Sequence, residues 1–444
     1  MQIKTNKGIV EGKEEGNCIV FKGIPYAKPP VGERRWKLPE EMEPWEGIYQ
    51  AKRFQNICPQ KLPDDSNPVL SMFYREFYSN PKYVPQMNED CLYLNIWIPK
   101  NTGNKQLPVA FWIHGGAFSS GYGSEMEFDG ESWCEKGIIL VTINYRLNVY
   151  GFLSHPWLRE ESSQNISGNY GCYDQIAALK WVYENIGNFG GDRTQITVMG
   201  QSAGAMSTQV MVSSKLTEGM ISKAILQSGL SCKSDLLPTP TMEEAETYGK
   251  MFVEFTGVEN LKELRELDSV RLEEAMLKLE MVLHKKGLSL CMVPNVDGYL
   301  LERSVKDLIC QGKVRMIPYL IGTVADELGN TKEDIVKNGH GVLYDECIEW
   351  SRILEKEQNN PAWIYYFGRK LPGDQAGAFH TCELWYTFGT LNRCWRPWER
   401  KDWELSKEVI RYWTNFIKEG NPSVDETDVW SPCTEADPFI KVFE

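Results

Sequence analysis

A serine between two glycines, Gly200-Gln201-Ser202-Ala203-Gly204, is the stretch whose residue types point most directly to chemistry. A hydroxyl becomes a useful nucleophile when a base takes its proton, a third group orients that base, and donors receive the oxyanion. The flanks suit the task. Ile196-Thr197-Val198-Met199 reads as the end of a strand, and Ala203 to Val212 permits a helix. Strand, sharp turn and helix make a nucleophile elbow, which presents a strained serine at the carboxyl edge of a sheet. Glycines at 200 and 204 leave the room that such a turn requires. The N–H of Ala203, at the helix N-terminus, would sit beside the hydroxyl to meet negative charge.

Partners for that serine can be sought by type. In an elbow architecture the acid and then the histidine follow the serine along the chain. Of five histidines, His284, His340 and His380 lie beyond Ser202. His284 stands beside Lys285 and Lys286 in a charged, solvent-facing helix, and His340 lies in the turn Asn338-Gly339-His340-Gly341. His380, in Gly377-Ala378-Phe379-His380-Thr381, follows a strand and can reach the sheet's carboxyl edge. For the acid, Gly322-Thr323-Val324-Ala325-Asp326-Glu327-Leu328 follows directly on another strand, and local physics leaves Asp326 and Glu327 equally eligible. The oxyanion donors would come from Phe111-Trp112-Ile113-His114-Gly115-Gly116-Ala117-Phe118, a buried strand ending in consecutive glycines. There the amides of Gly116 and Ala117 would join that of Ala203. His114 precedes the serine and belongs to this loop, so it reads as structural.

The elements that must hold these residues are strands alternating with helices. Met1 to Gly12 reads as a strand, a turn at Lys7-Gly8 and a second strand, and Phe21 to Gly32 as a proline-punctuated loop. Leu92–Ile98, Pro108–Ile113, Ile138–Ile143, Gln195–Met199, Lys223–Gln227, Tyr319–Gly322 and Ala362–Phe367 follow as strands. Several are continuous apolar runs, as strands covered on both faces require. Gly171–Ile186 and Trp403–Lys418 read as amphipathic helices, and Glu243–Phe255 and Leu261–Leu283 as charged ones. Pro59 to Met87 is irregular and aromatic, a candidate rim or lid. The expectation is an α/β protein with a central, mostly parallel twisted sheet flanked by helices. Residues 1–444 would form one domain, with an inserted helical segment over roughly 235–350 contributing a cap over the active site.

Composition narrows the function classes. The chain has 444 residues, a net charge of −13 and 42% hydrophobic residues, with no dense basic cluster, which argues against nucleic-acid binding. No window approaches the ~18 consecutive apolar residues of a membrane span, and the N-terminus lacks a signal-like apolar core, so a cytoplasmic location is expected. Twelve cysteines include no Cys-x-x-Cys pair and no grouping with histidines that suggests zinc, so buried thiols are expected and metal is not.

The chain resembles the type-B carboxylesterase family of the α/β-hydrolase fold, and in flavour its bacterial para-nitrobenzyl-esterase-like group. The resemblance rests on Phe21-Lys22-Gly23-Ile24-Pro25-Tyr26-Ala27, Asn88-Glu89-Asp90-Cys91-Leu92, the His114–Phe118 loop, Asn144-Tyr145-Arg146-Leu147, Asp174-Gln175, the elbow, Leu226-Gln227-Ser228-Gly229, Val296-Asp297-Gly298 and Gly377-Ala378-Phe379-His380. It implies a carboxylic ester hydrolase with Ser202 as nucleophile, Glu327 rather than Asp326 as orienting acid, and His380 as base. Gly116, Ala117 and Ala203 would form the oxyanion hole, with Gly115, Gln201 and Ser228 beside it and Asp297 in a structural role. The family resemblance further implies an ester and water as the partners, no cofactor, and a monomer or weak homo-oligomer. Cys58 and Cys91 match a pair bridged in secreted relatives and are expected here as thiols. Three departures stand out: Gln201 where many relatives have glutamate, Leu328 where glycine is usual, and a short stretch between Gly329 and Trp363, which suggests a differently roofed site.

Overall fold

The computed structural model describes residues 1–100, 105–234, 238–288, 290–328 and 340–444. Its strands are β1 Gln2–Lys4, β2 Ile9–Glu11, β3 Lys13–Glu15, β4 Cys18–Pro25, β5 Ile48–Gln50, β6 Tyr93–Pro99, β7 Leu107–Ile113, β8 Ile139–Ile143, β9 Gly191–Gln201, β10 Lys223–Gln227, β11 Tyr319–Val324, β12 Trp363–Phe367 and β13 Ile440–Phe443. Ten of them form one sheet in the order β13-β12-β11-β10-β9-β7-β8-β6-β4-β3. Everything from β8 to β13 pairs parallel, while β6, β4 and β3 close one edge antiparallel. β1, β2 and β5 make a small separate sheet.

The continuous apolar runs behave as double-sided burial demands. β8, β10 and β11 are buried at every position, and alternate residues of β7 feed two core layers. Val109, Phe111 and Ile113 pack on one face, with Leu179 and Val182 of helix Tyr170–Asn185, Val210 of helix Ala203–Ser213 and Trp350 of helix Val342–Gln358. Ala110 and Trp112 pack on the other, against Val409, Trp413 and Phe416 of helix Arg400–Glu419. That sandwich fixes the carboxyl ends of β7, β9, β11 and β12 side by side.

The structure differs from the sequence expectation in three places. Phe21 to Pro25, expected in a loop, belongs to β4, because Val20, Phe21 and Ile24 are fully buried. The strand tolerates Gly23 through a register shift between Phe21 and Ile24, where the Gly23 N–H donates to Asn95 Oδ1 at 2.8 Å. The run 261–283 is two helices, Leu261–Glu266 and Ser269–His284, since Asp268 accepts from Arg271 N at 2.9 Å and starts the second. Finally, β11 lies inside the span 235–350, so the helices Met242–Thr256 through Val305–Cys310 form one excursion that ends before the sheet resumes. Positions 329–339, the first part of the shortened stretch, lie outside the described residues.

Candidate active site

The serine is set by its neighbours' lack of side chains. β9 ends at Gln201, Ser202 adopts φ 56° and ψ −125°, and helix Ala203–Ser213 begins at the next residue. Such a backbone is strained for a residue with a Cβ and persists only when its surroundings enforce it. They do: Ser202 N donates to Gln227 O of β10 at 2.8 Å. A Cβ at Gly204 would lie 2.0 Å from the carbonyl oxygen of Ile113, and one at Gly200 2.4 Å from the carbonyl carbon of Gly204. The helix therefore butts directly against β7 and β9.

The acid and the histidine arrive on adjacent loops after β11 and β12. Glu327 Oε2 lies 2.5 Å from His380 Nδ1, and both residues are buried, at 7% and 6% exposure. Glu327 Oε1 accepts from Thr323 Oγ1 at 2.8 Å. Burial alone would push this carboxyl up, yet the imidazole beside it carries the pKa below the usual carboxylate value. For His380 burial works to lower the pKa, and the charge and hydrogen bond of Glu327 outweigh it and raise it. Asp326 has a different task. Its amide donates to Ala378 O at 2.9 Å and its Oδ2 accepts from Ala378 N at 2.7 Å, clasping the acid loop to the histidine loop. Of the two carboxyls that the sequence left equally eligible, Glu327 is the one that meets His380. Ser228, at φ 49°, has a buried Oγ close enough to lower the Glu327 pKa but without a hydrogen bond of ordinary geometry.

With Nδ1–H turned to Glu327, His380 Nε2 is an acceptor, and the Gln201 side-chain amide meets it at 3.2 Å. Ser202 Oγ makes no hydrogen bond to that nitrogen here, although both residues line the same cavity. Gln201 thus occupies His380 Nε2.

The glycine loop leaves β7 at Ile113 and turns through left-handed backbone at Gly116, Ala117 and Phe118, with φ of 101°, 55° and 59°. Ser119 N and Ser120 N both donate to Gly116 O at 2.9 Å and lock the turn. Among the described residues, the amides of Gly116 and Ala117 donate to no protein group, and Ala203 N, at the first turn of its helix, has no intrahelical acceptor. Three free donors in one place can receive an oxyanion. His114 is fully buried and stacked on Tyr145 at 4.4 Å, and burial pushes it down to about 4, a neutral structural ring.

The cavity at the serine has a volume of about 280 Å³. Gly115, Gly116, Ala117, Gln201, Ser202 and His380 line its floor, and Pro63, Leu70, Phe73 and Phe77 its roof. The Pro59–Met87 stretch is therefore a rim in fact. It holds a short helix, Pro68–Phe73, and a wider turn, Tyr74–Tyr78. Within that turn the fully buried Glu76 accepts from Trp385 Nε1 and Trp395 Nε1 at 3.0 Å and from Arg396 Nε at 2.8 Å. Phe77 stacks on Trp385 and meets Phe379 edge-on, beside the base. The rim thus roofs the serine's cavity directly, and the inserted helices wall the space beside it. No residue of the helices between Met242 and Cys310 lines the serine's cavity; Ser269–His284 instead walls an adjoining one, sharing Pro63, Leu70, Ser119 and Ser120. Leu328, half exposed, stands at the mouth.

Two acidic lining residues escaped the sequence reading. Glu125 and Glu127 face the cavity from the loop after the glycine turn. No local pattern marked them: Phe128 N donates to Glu125 O at 3.0 Å, so both sit in a turn rather than in an alternating strand. Elsewhere, His284 is exposed, and His340 stacks on Tyr344. Cys58 and Cys91 are buried free thiols in contact, which with burial raises the Cys91 pKa. Asp297 accepts from Tyr173 Oη at 2.6 Å and Asn169 Nδ2 at 2.9 Å, tying a loop to helix Tyr170–Asn185. Among the described residues no three metal-binding side chains converge, and no helix is long and apolar enough to cross a membrane.

Comparison with known proteins places this geometry among relatives. The profile described as "Carboxylesterase family" matches residues 1–346 and 346–442. The para-nitrobenzyl esterase of Bacillus subtilis (strain 168) is 34% identical over 469 residues, covering 95% of this chain and 91% of that protein. A juvenile hormone esterase of Tribolium castaneum is 36% identical, with 93% and 81% covered. A solved thermophilic PNB esterase superposes with a TM-score of 0.85 at 31% identity, over 100% of this chain and 95% of its own.

Proposed function

From the premise that the chain belongs to the carboxylesterase family and hydrolyses carboxylic esters, we propose that Ser202, His380 and Glu327 carry the reaction through an acyl-enzyme. The observation that carries this reading is the 2.5 Å contact of His380 Nδ1 with Glu327, beside a serine held at φ 56° on the same cavity wall. As substrate enters, Ser202 Oγ replaces the Gln201 amide at His380 Nε2. Ser202 attacks the ester carbonyl while Nε2 takes its proton. Glu327 holds the ring's tautomer and stabilises the imidazolium. The N–H groups of Gly116, Ala117 and Ala203 receive the oxyanion, each donor accounting for ~3–4 kcal/mol of transition-state stabilisation. His380 then protonates the leaving alcohol, and water attacks the acyl-enzyme by the reverse path.

Phe73, Phe77, Phe128, Leu70 and Leu384 line the cavity, which supports small to medium, moderately apolar or aromatic esters as substrates. The same ring-rich wall favours feruloyl or cinnamoyl esters as a second reading. We propose a cytoplasmic enzyme acting as a monomer or weak homo-oligomer, without nucleic-acid or membrane partners. Phenylmethylsulfonyl fluoride tests the core of this reading: it should label and inactivate the protein, and the label should vanish in Ser202→Ala. Label elsewhere, or esterase activity surviving that substitution, would refute it. Acetyl, butyryl and cinnamoyl nitrophenyl esters rank the substrates, and equal rates on all three would defeat a specialised aromatic site.

A further inference from the structure

The turn that carries His380 is strained at the residue after it. Thr381 is β-branched yet stands at φ 81°, a left-handed backbone that such residues rarely adopt. Within the turn, Cys382 N donates to Phe379 O at 3.0 Å and Leu384 N to Thr381 O at 3.1 Å. Strain of this kind persists only where the surroundings enforce it, and here both ends of the turn are tied. Downstream, Glu383 is 1% exposed, and Gln227 Nε2 donates to its Oε1 at 3.4 Å. Gln227 is also the residue whose carbonyl holds Ser202 N. That tie does not need a charge. Burial and Glu327 push Glu383 up to about 7, and Oε1 accepts in the protonated acid as well as in the carboxylate.

Upstream, the tie is Asp326. It pairs in parallel with Phe379 as a single bridge, and its Oδ2 takes the Ala378 N–H at 2.7 Å. Ala378 is fully buried, so losing the carboxylate leaves that donor without its partner. Asp326 itself is exposed, so replacing it opens no hole in the core. The fit is close: a Cβ at Gly377 would lie 2.2 Å from Asp326 Oδ2. Neighbouring carboxyls thus grip alternate residues of one turn, Asp326 at Ala378 and Glu327 at His380.

We propose that Asp326 is a positioning residue: by accepting from Ala378 N it holds the strained His380 turn against Glu327 and so sets the placement of the base. The proposal rests on the reading of Ser202, His380 and Glu327 as the reacting set.

The test follows nitrophenyl butyrate hydrolysis across pH. Asp326→Ala should lower kcat about tenfold or more with KM within about twofold, as misplacing an aligned group does. Its acid-limb midpoint should also move down. Burial lowers the His380 pKa, and the contact with Glu327 is what outweighs it. The other groups facing the ring, Glu383 and the neutral Gln201 amide, are left in place. Asp326→Asn keeps an acceptor for Ala378 N and should hold both kcat and midpoint near the wild-type values. Thr381→Gly, which takes φ 81° without strain, should recover kcat severalfold in the Asp326→Ala background. Should Asp326→Ala not fold, Asp326→Glu, one methylene too long for the same bond, carries the same expectation. Wild-type kcat and midpoint in Asp326→Ala, a fall in kcat with an unmoved midpoint, or Asp326→Asn no better than Asp326→Ala would overturn the proposal. Failure of the underlying reading looks different: Ser202→Ala would keep its turnover, or the wild-type rate would show no acid limb.

Discussion

Glu327 and Glu125 are equally hidden from water, Glu327 behind His380 and Glu125 on the wall of the serine's cavity, and the protein treats them oppositely. Glu327 stays below the usual carboxylate range, whereas Glu125 is pushed up to about 7. Burial acts on both in the same direction. What differs is the company: the imidazole beside Glu327 can become a cation and outweighs burial, whereas the hydrogen bonds of Glu125 with Tyr78 and Glu127 do not. Depth therefore decides the charge state of one carboxyl and not of the other. One wall is finished within the chain, and the other leaves an acceptor that its own side chains do not satisfy.

The contrast can be broken or sharpened by substitution. Ser202→Ala should abolish turnover on the finished wall, lowering kcat on nitrophenyl butyrate by about 10⁵-fold with the fold intact by circular dichroism. Glu327→Gln should lower kcat by about 10³-fold, since an orienting acid replaced by an amide favours the wrong tautomer. Its pH profile carries the sign. In the wild type, activity falls on the acid side as His380 protonates, with a midpoint above the ordinary histidine value because Glu327 favours the imidazolium. Removing that charge should move the midpoint down; an unmoved midpoint would mean the two groups are not coupled. Glu76→Gln should lower stability by about 3 kcal/mol in chemical denaturation, because Arg396 loses a buried partner. No loss would show that the roof is held by ring packing alone. The smallest effect is expected for Gln201→Glu. A carboxylate beside His380 Nε2 should raise the acid-limb midpoint by about one pH unit, and a downward shift would contradict the 3.2 Å contact described for Gln201.

The finished wall was legible because its chemistry needs particular residue types at fixed offsets. The elbow, the glycine turn and the two later loops announce themselves through glycines, and each apolar run between them reads as a doubly covered strand. Lys223–Gln227 coincides with β10 to the residue. Ile440–Phe443 was missed because a four-residue edge strand with two outward-facing residues carries too short an alternation. Helix Val342–Gln358 was missed because its apolar residues are spread among charges and it begins without a side-chain cap. The unfinished wall could not be read at all. Glu125, Glu127 and Tyr78 acquire meaning from apposition across 47 residues of chain, and nothing local distinguishes a carboxyl that will be buried from one that will be wet. The same limit applied to Asp326 and Glu327, whose roles separate only once the loop carrying Ala378 lies beside them.

The close seating of Gly204 under Ile113 constrains how this protein can diversify. With no slack beneath the nucleophile, heritable variation in selectivity has little scope on the sheet side. It is channelled into Leu70, Phe73, Leu328 and the residues around Glu127, where exchange alters what is admitted without disturbing what reacts. A combinatorial library confined to those positions would explore new substrates on a fixed anvil.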